Sequence, residues 1–186
     1  MRLSLPLTGL GCVLHSPAMS AAETSTLYET DFIAWAEAQA AALRAVPDPS
    51  GLGLDLQNLI EEVESLARQD LFEFEDRIRT ALTRLILAAH HPDPARARAE
   101  LAGVSRPLID ARGWRSPTGL ARLDPEKLWS EAREEAAADL PDGALQGDPT
   151  PCPFRLEDLL ARGFDPREAR SRVLRRPGAG VDDPGL

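Results

Sequence analysis

Between Leu54 and His91 an apolar residue returns every three or four positions, at Leu56, Leu59, Val63, Ala67, Leu71, Phe74, Ile78, Leu82, Leu85 and Ala89. That period is helical, and it is sustained for about nine turns. Asp55 supplies an N-cap, and Leu54 and Leu59 stand where a hydrophobic staple forms around it. One continuous helix here would be about 52 Å long. The pattern therefore predicts a bend between Ala67 and Leu71 that divides it into two helices, with an unbroken rod as the alternative.

The flanking segments carry the same period in shorter pieces. Thr26 and Glu29 make a capping box for a helix from Leu27 to Ala45, with Tyr28, Phe32, Trp35, Gln39 and Leu43 on one face. The run from Pro47 to Gly51 ends it. His90 to Pro94 closes the long stretch, and an Ala- and Arg-rich helix follows over Ala95–Val104. Pro107 interrupts what comes after, and Gly113 to Gly119 read as a loop. Asp124 and Pro125 form an N-cap with proline at N1, opening a helix to about Leu140 that turns Leu128, Trp129, Ala132 and Ala136 inward. After a long loop, a short helix over Phe154–Arg162 is expected to end on a left-handed Gly163, with Phe164 against Leu159.

The ends look different. The opening run to Ala18 is broken by Pro6, Gly9 and Gly11 and makes a poor signal peptide. It reads as a start placed ahead of the true one at Met19, so residues 1–24 are an unstructured extension. Beyond Pro166 the chain is rich in Arg, Gly and Pro, and 167–186 reads as a flexible tail. The fold class is all-α: a helical bundle of about five to six helices over residues 25–166, with disordered or loosely packed termini.

Composition narrows the function only by exclusion. A net charge of -9 argues against general affinity for nucleic acid or anionic membrane. The two cysteines, Cys12 and Cys152, have neither zinc-site nor disulfide-framework spacing, which fits a reducing cytoplasm. There is no run of about 18 apolar residues to span a membrane. No Walker-type or dinucleotide glycine loop is present.

Three clusters can carry chemistry. Asp31, Glu61, Glu62 and Glu64 are oxygen donors of the kind that hold Mg²⁺ or Mn²⁺ in a metal-dependent hydrolase, with Glu131, Glu134 and Glu135 as a substitute second acidic motif. Against this, Glu62 points about 100° away from Glu61, and a solvated or arginine-paired face accounts for the same residues. His90, His91 and Asp93 can ligate a transition metal, or simply cap a helix end. Arg96, Arg98, Arg106, Arg112 and Arg115 would serve a nucleic-acid-binding module, against the overall charge. Cys152 between two prolines reads as a packed small residue. The Tyr28, Phe32 and Trp35 stripe reads as core, or else as an exposed anchor, and Asp31 beside it as a partner for Trp35 or an arginine.

Tyr28, Asp31, Phe32 and Trp35, then Asp55, Asn58, Glu61, Glu62, Glu64 and Ser65, and finally Cys152, Pro153, Leu159 and Leu160 resemble the bacterial family called domain of unknown function 29, over about residues 27 to 166. The resemblance implies an all-helical fold and brings no established activity. The chain departs from the family where members carry a His-Leu-Leu-Lys run late in the long helical segment: Arg84 and Leu87 take the His and Lys positions.

The expectation is a non-catalytic interaction or regulatory module. Its candidate surface is Asp31, Trp35, Asp55, Asn58, Glu61, Glu62 and Glu64, its partner is a second copy or another protein, and no catalytic residue, metal or cofactor is assigned.

Overall fold

The computed structural model describes residues 21–47, 51 and 53–175, and its described residues form helices, turns and loops. The helices are α1 (Ala21–Thr30), α2 (Phe32–Arg44), α3 (Leu56–His90), α4 (Pro94–Gly103), α5 (Ser105–Ala111), α6 (Pro117–Arg122), α7 (Pro125–Ala137), α8 (Leu156–Leu159) and α9 (Pro166–Val173). The all-helical bundle read from the pattern is the observed class.

The spine is α3, which runs its 35 residues unbroken, so the bend expected between Ala67 and Leu71 is absent. The segment contains no Pro or Gly and keeps its apolar stripe throughout, which leaves nothing to break the backbone ladder. Its two halves meet different neighbours. The C-terminal half is surrounded by α4, α5, α7 and α9 and buries Phe74, Ile78, Leu82, Leu85 and Ile86 in the main core. The N-terminal half is covered chiefly by α2, through a second small cluster of Ile33, Ala36 and Ala67 with Trp35 and Val63 at its margin. α2 and the first half of α3 thus form a two-helix arm.

Start signals are met where a side-chain cap is present. Asp55, Asp93, Asp124 and Asp165 each accept a bond from a backbone N–H one or two residues into their helix. Leu128, Trp129, Ala132 and Ala136 are buried on α7 as the pattern required.

The remaining differences have local causes. The expected helix from Leu27 is two helices that meet at Asp31, because Asp31 leaves helical geometry (φ -153°, ψ 79°) to cap α2. Pro107 begins no break but sits buried in the first turn of α5, where its missing N–H costs nothing. The loop expected over 113–119 contains the start of α6, capped by Ser116. The left-handed Gly163 is not found; the positive-φ glycines of the described residues are Gly53, Gly143 and Gly147. Flexibility from residue 167 is corrected by α9, which buries Ala169 and Val173 and sends the Arg170 guanidinium to the Ala88 carbonyl at 2.7 Å. An amphipathic turn docked on a core outweighs a polar composition. Residues 1–20 and 176–186 lie outside the described residues, as do Cys12 and the question of a start at Met19.

The loop from Pro141 to Arg155 is held at several points. The Trp129 indole N–H donates to the Pro149 carbonyl at 2.9 Å, and Trp129 packs edge-on against Phe154. His90 Nε2 lies 2.8 Å from Asp148 Oδ1, and the Cys152 N–H donates to the Glu126 carboxylate at 2.9 Å.

Candidate functional site

Asp31 organises the base of the arm. Its Oδ1 accepts from the Ala34 N–H at 3.2 Å, capping α2, and its Oδ2 accepts from the Thr118 N–H of α6 at 2.8 Å. Burial pushes the Asp31 carboxyl up, but hydrogen bonds from Thr118, Ala34 and Ser116 outweigh it and hold the group below its ordinary value. α6 can come this close because residue 119 is glycine: a Cβ there would stand 2.9 Å from Ser116 Oγ and 3.3 Å from the Phe74 ring. The expected bond to Trp35 or an arginine is therefore corrected, since the backbone of α6 arrives first. Thr118 and Gly119 are structural members of this junction that sequence reading missed; the Ser116-Pro117 cap signal, read as loop, would have found them.

The aromatic stripe is neither core nor free anchor. Trp35 and Phe32 are half-buried and stacked at 5.2 Å, and Tyr28 meets Trp35 edge-on at 4.8 Å while remaining exposed.

The other candidate residues lie along the arm and do not converge on Asp31. Asp55 caps α3 through the Asn58 N–H and takes a second bond from the Asn58 amide at 2.6 Å. Glu64 pairs with Arg44 and so links α3 to α2. Glu61 and Glu62 are exposed. Among the described residues no group of three or more His, Cys, Asp or Glu side chains is placed to hold a metal ion. The substitute acidic motif is engaged as well: Arg79 bonds Glu135 at 2.7 Å and approaches Glu131 at 3.8 Å.

His90 and His91 diverge. The first faces Asp148, and the second accepts the Asp93 N–H at 3.1 Å. Arg96 pairs with Asp139 and Glu100, and Arg106 with Asp110. Arg98 donates to the Pro94 carbonyl, and Arg112 to the Leu160 and Ala161 carbonyls. These guanidiniums are thus engaged within the fold, whereas Arg115 has no partner among the described residues. Burial, with the nearby Glu126 charge, pushes the Cys152 thiol up to about 11 against the Phe154 hydrogen bond, which makes it a poor nucleophile. Arg84 bonds Glu100 at 2.9 Å and ties α3 to α4.

What the arm offers is a surface. Leu59 and Leu66 are 40% and 46% exposed. The buried face of α3 passes through Ile60 and Ala67 instead, one step around the helix, because α2 covers only that side. Leu59, Glu62 and Leu66 stand at i, i+3 and i+7 and so form one outward row, with half-buried Val63 beside it.

A family model described as Domain of unknown function DUF29 matches residues 27–165. No curated protein matches the chain. Among solved structures, an alpha-helical protein of unknown function from Rhodospirillum rubrum superposes with a TM-score of 0.68 at 26% identity, covering 78% of this chain and 96% of that one.

Proposed function

The chain belongs to the DUF29 family, and from that premise we propose that it is a non-catalytic interaction module whose arm receives a basic amphipathic helix of a protein partner. The observation that carries the reading is the outward row of Leu59, Glu62 and Leu66 on a helix half that α2 chiefly covers among the described residues. An apolar ridge with a carboxylate set into it suits a helix that brings leucine-like anchors and Lys or Arg side chains, whose stems pack and whose charges meet Glu62. The charge of -9 favours such a partner over a second copy, because two acidic arms repel. The free Cys152 thiol suits a reducing compartment such as the cytoplasm, and no helix of the described residues is long and apolar enough to cross a membrane.

The test uses a photo-crosslinking residue at position 66 of the full chain in its native cell, with position 109 on α5 as control. Adducts with a protein carrying a basic helix are expected at 66 and are expected to be lost on Glu62→Arg. The double change Leu59→Ser with Leu66→Ser should cost about 1–2 kcal/mol of stability, from helix propensity and partial burial, and leave the thermal transition cooperative while abolishing the adduct. Equal adducts at both positions, or indifference to Glu62→Arg, would refute the reading. A concentration-dependent dimer in light scattering that crosslinks at 66 would replace the partner with a second copy.

A further inference from the structure

Two exposed aromatic side chains line one cavity at the base of the arm. Tyr28 of α1 is 49% exposed and Trp114, in the turn between α5 and α6, is 37% exposed. Both line a cavity of about 180 Å³, which Phe32 joins as a third aromatic. The Tyr28 ring is braced by its edge contacts with Phe32 and Trp35, at 5.6 and 4.8 Å. The same cavity is lined by two carboxylates, the half-buried Asp70 of α3 and the exposed Glu29 of α1, and by one guanidinium, Arg115.

These opposite charges share a small space without pairing. Among the described residues none of the three side chains makes a hydrogen bond or an ion pair, although Arg77, Arg79, Arg84 and Arg96 each hold at least one carboxylate. Asp70 is half-buried, and burial pushes its carboxyl above the ordinary value. A desolvated charge held without a partner is unfavourable unless something supplies one. An aromatic wall beside a carboxylate is suited to an organic ammonium ion, which the ring faces attract. An unpaired guanidinium is suited to a carboxylate, which it grips through two parallel N–H bonds. The cavity is also well below the roughly 300–1,000 Å³ of pockets that take drug-sized molecules.

We propose that this cavity binds a small zwitterion bearing an ammonium and a carboxylate group, of the class of free amino acids and betaines. The ammonium lies between Tyr28 and Trp114 against Asp70, and the carboxylate meets Arg115. The site shares no residue with the Leu59–Leu66 row, although Asp70 stands one turn beyond Leu66 on α3, and the two are told apart because betaine binding is read with Leu59 and Leu66 intact and the crosslink with Asp70 and Arg115 intact.

Isothermal titration of the full chain with three probes tests it: glycine betaine, tetramethylammonium and acetate. Betaine is expected to bind at millimolar concentration, tetramethylammonium more weakly, and acetate not detectably. Asp70→Asn and Trp114→Ala should each weaken betaine at least about tenfold, the scale of losing a charge-assisted contact. Arg115→Gln should bring betaine down to the affinity of tetramethylammonium. Folding is checked by thermal melts. Asp70 has a raised folded-state value, so its contribution is fully present only in acid and is lost as pH rises through that value. Asp70→Asn is therefore expected to melt at least as high as the parent at neutral pH, and lost binding in that variant is not lost fold. No heat with betaine, or binding indifferent to Asp70→Asn, would overturn the proposal; equal affinity for betaine and tetramethylammonium would overturn the role of Arg115.

Discussion

Replacing Asp31 with alanine is expected to lower the unfolding free energy by about 2–4 kcal/mol, summing a lost N-cap and a partly buried N–H left without an acceptor. The lost cap is that of α2 and the orphaned donor is the Thr118 N–H, so the damage falls on both sides of the junction. Asn at this position keeps an oxygen for the cap but not a second acceptor, and should cost about half as much. The effect is pH-dependent in a stated direction. The folded state holds the Asp31 carboxyl below its ordinary 3.8, so its contribution is complete above that value and fades as pH falls through the folded one. Urea unfolding at neutral pH should show the full gap between parent and Asp31→Ala, and the gap should narrow in acid by the part that depends on the carboxylate charge. A gap that stays constant down to strong acid would mean that the charge of Asp31 adds nothing to its two hydrogen bonds. Hydrogen exchange in the variant should rise first in α1, α2 and α6, while α7 keeps its protection.

The largest loss is expected from Trp129→Ala, about 3–5 kcal/mol for emptying a large aromatic site in a packed core. Trp129 is buried, lies against Phe154, and holds the 141–155 loop through Pro149. Trp129→Phe keeps one ring of the two and loses the indole N–H, for a smaller cost of about 1–3 kcal/mol. The loop gives a second readout. Cys152 is half-buried within it, and its thiol is held up to about 11 by that burial. Freeing the loop should bring the thiol back toward 9.0 and speed its alkylation by iodoacetamide at mildly alkaline pH, measured in a Cys12→Ser background. Destabilisation with unchanged alkylation would show that the loop is held by the His90–Asp148 and Glu126–Cys152 contacts alone.

The candidate surface was only partly legible along the chain. Glu61, Glu62 and Glu64 are adjacent in sequence, and a metal site follows from them only if Asp31 comes near. Asp31 is instead taken by α6, a helix of 6 residues that sequence reading passed over as loop. The row of Leu59 and Leu66 was hidden for the opposite reason. Leu59 fits the apolar period as well as Ile60 does, and periodicity places the stripe to within about one residue around the helix. Which of the two is buried depends on where α2 lies.

The sequence alone determined the local, short-range features: the helical class, the 3.6-residue stripe of α3, the aspartate starts of α3 and α7, and the shared apolar face of α7. These follow from side chains within a few positions of one another, where caps and periodicity act. The tertiary structure decided what depends on distant neighbours. It left α3 as one rod with a covered half and an arm, docked α9 where composition suggested a tail, committed Asp31 to Thr118, and set Asp70 and Arg115 across one cavity. Burial and charge pairing are properties of surfaces brought together from far apart in the chain, and no local pattern records which surfaces those will be.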